Sequence, residues 1–370
     1  MLKRFEVENF KGFCGRFVFD LTAHDYAFNA NLVQRGIVKN MLIYGPNGIG
    51  KTNLGLALFD MISHLTDKKP LDGKYLFEYK NLESADEMPV AFKYVFDFDE
   101  LGEIVYEYAK NGQQGLLWEK LCVRGKEIVS WDYSKSGVHD LNQDVFMIAN
   151  VDLPDNKLSI LKFLYRNIPT DAVPVLTRLM QFAENMLWYR SLSDGNTYAG
   201  FNNGDATLDD VICKSGKLQD FSAFLKKHGV NYCLYEKKIN NDSWIAVKYP
   251  KTGKSALFQN VASTGTKTLR LFYYWSLVSF KKVSFLFIDE FDAFFHYQSA
   301  ASIVAQLNQS RFQVALTSHN TYLMQNEFTR PDCCFLMSKN AIKSLPECTD
   351  REIRQAHNLE KMYINGAFAI

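Results

Sequence analysis

The sequence has no uninterrupted apolar run of about 18 residues, so no segment of it is suited to cross a bilayer as a helix. Its opening, Met1-Leu2-Lys3-Arg4-Phe5-Glu6-Val7-Glu8, lacks the apolar centre of a signal peptide, and a cytoplasmic location is expected. An excess of one charge is also missing. The 42 Lys and Arg nearly balance the 41 Asp and Glu, leaving +1. That removes any global electrostatic case for nucleic acid or a membrane surface, although a local basic groove would escape such a count. The seven cysteines are scattered, and none forms a CxxC pair, which speaks for reduced buried thiols over a metal site. Internal repeats, low-complexity linkers and sustained heptads are absent, which excludes a long coiled-coil arm.

What is present is a chain able to form a sizeable core: 370 residues, 47% hydrophobic and 14% aromatic. Residues 2–7 and 16–21 read as strands around a Lys11-Gly12 turn. Met41-Leu42-Ile43-Tyr44 ends a buried strand, and 51–65 reads as a helix with apolar positions at Leu54, Leu58 and Ile62. Between 90 and 132 the pattern is antiparallel. From about 155 to 230 it turns helical, as in Ala172–Tyr189 and Leu218–His228, with a polar loop at 193–205. A hairpin is expected at 232–249. Then come a helix from Thr264 to Phe280, an apolar strand at 283–288, a helix near 297–309, strands at 313–317 and 333–337, and a last helix at 349–362. Buried strands alternating with helices predict a parallel α/β sheet. The expected division is 1–130, an N-terminal lobe; 131–254, a mostly helical insertion that carries specificity; and 255–370, a C-terminal lobe.

Four short segments carry chemistry. Gly45-Pro46-Asn47-Gly48-Ile49-Gly50-Lys51-Thr52 has the GxxxxGK[ST] spacing of a P-loop, the cradle of ATP and magnesium. Backbone N–H groups from Asn47 to Asn53 would curl around phosphate. Lys51 would face the β- and γ-phosphates, and Thr52 would offer its hydroxyl to the metal. Six apolar residues then deliver Asp289-Glu290 to a strand's C-terminal end. Asp289 suits the metal side of a Walker B pair and Glu290 a base for the attacking water, whereas the plain alternative is a helix cap. In Ser263-Thr264-Gly265-Thr266, Ser263 is a good N-cap, but Ser263, Gly265 and Thr266 also form an anion site at a helix start. His319, after the strand 313–317, is either an ordinary loop histidine or a donor to the γ-phosphate.

In this order the four segments resemble the ABC-type ATPase head shared by SMC, RecF and the OLD-like, abortive-infection ATPases. The opening Phe5 to Phe13 is similar to the first strands of those heads. The SxGT form at Ser263 resembles the OLD-like branch, as does the ending from Glu352 to Phe368. The resemblance implies a P-loop NTPase head with an antiparallel β patch, and Mg-dependent ATP hydrolysis. It also implies a homodimer, or a higher oligomer built on it, in which Ser263 and Gly265 of one copy close on the P-loop of the other. The implied role is a switch in bacterial anti-phage defence, controlling a separate effector, nuclease or toxin. About 50 residues after His319 are too few for a nuclease domain of the OLD type. The alternatives are a RecF-like ATPase that binds DNA directly, through Lys68-Lys69, Lys226-Lys227, Lys237-Lys238 or Lys281-Lys282, and an ATP-bound scaffold with little turnover. His296 stands where SMC-type heads carry an aspartate. Gln113, Gln114 and Gln143 give no convincing Q-loop.

Overall fold

A computed structural model describes residues 1–69, 73, 77–112, 115–134, 139–146, 153, 155–169, 171–191, 197–201 and 206–370. Its centre is a seven-stranded sheet in the order Tyr198–Gly200, Met186–Arg190, Phe285–Asp289, Gln313–Thr317, Asn40–Tyr44, Cys334–Met337, Ile342–Ser344. The five inner strands run parallel, and each outer strand is antiparallel to its neighbour. Parallel strands need cover on both faces, and the side chains here divide between two cores. Met41 and Ile43, Phe285 and Phe287, Ala315, Phe335, Met186 and Trp188 enter one. Leu42 and Tyr44, Leu286 and Ile288, Val314 and Leu316, Cys334, Leu187 and Tyr189 enter the other. The alternation follows from the two-residue period of an extended chain.

The first core lies toward a second seven-stranded sheet, antiparallel throughout, which includes Leu2–Phe10, Phe13–Asp20, Val90–Asp97 and Glu103–Asn111. Gln313 stitches the sheets together. Its side chain accepts from Leu2 N at 2.7 Å and donates to Leu2 O at 2.8 Å and Val38 O at 3.2 Å. The helix Lys51–Leu58 is anchored to the antiparallel sheet just beyond its end. There the buried Asp60 receives Lys110 Nζ at 2.5 Å, Tyr79 Oη at 2.7 Å and Tyr108 Oη at 2.9 Å. Glu119 of the same sheet is fully buried and held by Tyr106, Ser159 and the backbone N–H of Ile160, which ties in the helix Ile160–Asn167. On the other face, helices Leu208–Lys214 and Thr264–Val278 are joined through Asp209, which accepts from Arg270 at 2.6 Å.

Several sequence expectations shift. The run Ala172–Tyr189 contains the helix Pro174–Glu184 and then the strand Met186–Arg190, which joins the central sheet beside Phe285–Asp289. Short apolar runs do not distinguish helix from strand by period alone, and here both faces of Met186–Tyr189 are buried. Trp188 and Tyr189 are therefore core residues. The helix expected over 51–65 is interrupted after Leu58 and resumes at Ile62–Leu65. The last helix is only Leu359–Ile364, which starts late because the Asn358 side chain caps it by accepting from Lys361 N, and residues 349–358 before it are not helical. Gln113, Gln114 and most of the loop 193–205 lie outside the described residues, and Gln143 opens a four-residue helix.

Removing one partner of a buried ion pair strands the other charge. Asp60→Ala should therefore cost about 3–5 kcal/mol in denaturant unfolding, whereas replacing both Asp60 and Lys110 with apolar residues of similar size should cost far less.

Candidate active site

The P-loop leaves the buried strand Asn40–Tyr44 and turns through Gly48 at φ +75° and Gly50 at φ +106°, conformations that a Cβ disfavours. Gly45 is needed for a different reason: a Cβ there would lie 2.7 Å from the backbone oxygen of Met337. The helix Lys51–Leu58 starts at Gly50 without a side-chain cap, so its first N–H groups face the loop. Lys51 Nζ donates to Gly45 O at 2.7 Å and Pro46 O at 3.0 Å. Burial lowers its pKa, with Asp289 and Glu290 opposing that shift.

Next to Lys51 in the chain, Thr52 Oγ1 donates to Asp289 Oδ2 at 2.7 Å. Thr317 Oγ1 donates to the other oxygen, Oδ1, at 2.8 Å and accepts from Glu290 N at 2.7 Å. Strand register explains the meeting: Phe285–Asp289 lies beside Gln313–Thr317, which lies beside the P-loop strand. Asp289 is 1% exposed. Burial pushes its carboxyl above the usual range, against the hydroxyls of Thr52 and Thr317 and the charge of Arg190. Glu290 sits at φ +50°, left-handed backbone that an L residue adopts at a cost. Its Oε1 accepts from Arg190 Nη2 at 2.6 Å, while Arg190 Nε is 3.6 Å from Asp289 Oδ2.

His319 is exposed on the loop after Thr317. Its pKa is lowered by partial burial and by the charge of Lys51, and Glu290 and Asp289 oppose the shift, so the ring lies within the field of this cluster. Ser318 before it donates to the buried Asp292 at 2.8 Å, which fixes the loop's base. Asn53 Nδ2 faces the first hairpin, 3.2 Å from where a Cβ of Gly12 would stand.

The turn Ser263–Thr266 stands apart. Ser263 caps the helix Thr264–Val278 by accepting from Thr266 N at 3.3 Å, as a plain N-cap does. Gly265 packs so closely on the segment after Glu290 that a Cβ would be 2.6 Å from Phe294 O. Among the described residues, no hydrogen bond or ion pair joins this turn to residues 45–53. His296 begins the helix Tyr297–Leu307 as an exposed ring against Tyr297, with centroids 4.2 Å apart.

Two residues of this cluster, Thr317 and Arg190, carry no motif of their own in the sequence. Thr317 reads by pattern only as a strand end, although a hydroxyl closing a buried apolar strand is a visible signal. Arg190 lies one residue past the span Ala172–Tyr189 whose pattern reads as helix, and its role appears only with the strand Met186–Arg190. Its signal is the same as that of Asp289, a short continuous apolar run that ends on a charge.

The chemistry of the donors fits magnesium: a hydroxyl and a carboxylate oxygen, hard ligands, 2.7 Å apart. Among the described residues there is no cluster of three or more His, Cys, Asp and Glu that could hold a metal. A cation at Thr52 and Asp289 would therefore need phosphate and water for its other ligands.

The buried Asp289 has a stability consequence. Its folded form holds a proton more tightly than the unfolded chain, so stability falls as pH rises from the usual carboxylate range through the raised one, and the deficit persists above it. Asp289→Asn should melt higher than the wild type at neutral pH. The gap should narrow as pH is lowered toward about 4, as followed by thermal unfolding.

Residues 235–325 match the family model described as "AAA domain, putative AbiEii toxin, Type IV TA system". That span holds Ser263, Gly265, Asp289, Glu290 and His319. No curated protein sequence matches. Similar solved structures include the SMC head domain from Thermotoga maritima, at 14% identity and TM-score 0.44, covering 93% of this chain and 98% of that one. A Pyrococcus furiosus Smc head domain bound to the C-terminal domain of ScpA has 12% identity and TM-score 0.45, covering 94% and 97%. The recombination mediator RecF with ATP has 14% identity and TM-score 0.42, covering 93% and 97%. The strand order itself describes the fold: a parallel α/β sheet whose central strand runs into a P-loop and helix, with an antiparallel sheet against one face.

Proposed function

We propose that this chain binds and hydrolyses ATP between two copies of itself, and that closure of the pair switches a separate effector in bacterial anti-phage defence. The observation that carries the ATPase reading is one hydrogen-bonded run, Thr52 to Asp289 to Thr317 to the backbone of Glu290, beside Lys51. In this reading the run supplies a hydroxyl and a carboxylate that would face the metal and a carboxylate that would act as base, beside the P-loop. Magnesium, when bound, would neutralise phosphate charge.

Lys51 would exchange its bonds to Gly45 O and Pro46 O for phosphate oxygens. Glu290 would take the proton of the attacking water, and His319 would meet the γ-phosphate. Ser263, Gly265 and Thr266 would act on the partner's nucleotide. Their turn is exposed at Ser263 and Thr264 and is bonded within its own chain to the helix it caps, which favours this reading. The defence role leans on the toxin-system wording of the family description. Partner specificity within 131–254 belongs to the same proposal, although that span also supplies Met186–Arg190 and Tyr198–Gly200 to the central sheet and so is not a separate insertion.

Direct DNA binding is the second reading. A cavity of about 250 Å³ at the opposite ends of the central strands is lined by Arg178, Lys282 and Arg311, a basic site that phosphates could use. Salt-sensitive DNA binding, lost on substituting these three, would favour it.

The active-site reading predicts that Lys51→Ala abolishes hydrolysis and that Glu290→Gln lowers kcat about 100-fold or more. Lys51→Ala and Ser263→Arg should each be inactive alone, yet a mixture should regain activity, because a mixed pair holds one intact P-loop facing one intact turn. Hydrolysis by Glu290→Gln at the wild-type rate would remove Glu290 as the base. A silent mixture would remove the two-copy site.

A further inference from the structure

We infer that Arg190 is a positioning residue for hydrolysis: it holds the Glu290 carboxylate by one oxygen and leaves the other for the attacking water. The inference rests on the ATPase reading above and adds a residue to it.

The backbone of Arg190 is fixed from one side of the site. Met186–Arg190 runs parallel to Phe285–Asp289, with Arg190 level with Asp289, and the pairing continues past the strand through Ser191 N to Asp289 O at 2.9 Å. Trp188 and Tyr189, just before it, are buried in opposite cores. The strand end therefore cannot slide without breaking two packed faces. From this fixed point the guanidinium reaches across to Glu290 Oε1 at 2.6 Å and lies 3.6 Å from Asp289 Oδ2.

Glu290 is constrained from the opposite side. Its N–H is held by Thr317 Oγ1, and its left-handed φ of +50° turns its side chain out of the strand's regular alternation. A glutamate with only its backbone fixed would still sample several rotamers, most of them useless to a water molecule. The guanidinium selects one. The bonds in the structure fall on Oε1, and the side chain stays 33% exposed, so the carboxylate keeps a face toward solvent. Orienting a base before the reaction removes an entropic part of the barrier, and misplacement by about 1 Å can cost on the order of 100-fold.

An arginine this near a phosphate site could instead bind phosphate, and kinetics separates the two roles. A positioning residue acts on kcat, whereas a phosphate ligand acts on KM and on nucleotide affinity.

The test compares wild type, Arg190→Ala, Arg190→Lys, Arg190→Gln and Glu290→Gln in the full chain. It reads kcat and KM for ATP, the Kd of a fluorescent ATP analogue, and the melting temperature. Arg190→Ala should lose about 10- to 100-fold in kcat, with KM and Kd changed by less than about threefold. Arg190→Lys should recover part of the loss, because an ammonium can still donate one bond to Oε1. If Arg190→Ala does not fold, the comparison of Lys with Gln decides, since Gln keeps the bulk but not the charge. Unchanged kcat in Arg190→Ala, or a loss confined to KM and Kd, would overturn the inference. If Glu290→Gln is impaired and Arg190→Ala is not, only this inference fails. If neither is impaired, the assignment of Glu290 fails with it.

Discussion

Asp289 is nearly cut off from water, and both of its oxygens receive hydroxyls from other elements, Thr52 of the P-loop helix on one and Thr317 of the neighbouring strand on the other. A buried carboxylate is tolerated only when such donors meet it. The site's arrangement depends on this one group. Thr52 brings the start of the P-loop helix to it, Thr317 brings the neighbouring strand and the base of the His319 loop, and Thr317 passes the connection on to Glu290 through the backbone N–H. Three chain segments far apart in sequence therefore hold a common geometry through two hydroxyls.

The fold protects that geometry by keeping the parallel sheet between two cores. Residues alternate faces on each inner strand, so a register slip of one residue would exchange the two cores. On the antiparallel-sheet side, the P-loop helix is pinned by the Asp60–Lys110 pair just after it. On the other side, the helix that begins at Ser263 is tied to 208–214 by Arg270 and Asp209. The close approach of Gly265 to Phe294 O gives a direct contact between the Ser263 turn and the segment that follows Glu290. Movement of either would be felt by the other.

Much of this was legible in the residues. The P-loop, the acidic pair at 289–290 and the strand before His319 each carry their signal within a few positions, because local backbone requirements dictate glycine, hydroxyl or charge there. The hairpin at 232–249 was legible for the same reason, with Asn240 and Asn241 supplying its left-handed turn. Arg190 was not legible. Its meaning depends on which strand lies beside 285–289, a long-range pairing that no local period reveals, and a four-residue apolar run after a helix reads as more helix. The Ser263 turn shows a different limit. The sequence marks a helix start with small residues, and a plain cap, a glycine packed on a carbonyl and a site completed by another copy all require the same residues.

The central claim is that two copies close around ATP at the site organised by Asp289, with Glu290 needed to reopen it. Sedimentation of the Glu290→Gln variant with ATP and magnesium tests that most directly. The account predicts a stable dimer that reverts to monomer when the nucleotide is washed out or replaced by ADP. A Glu290→Gln chain that binds ATP to saturation and still sediments as a monomer would contradict it.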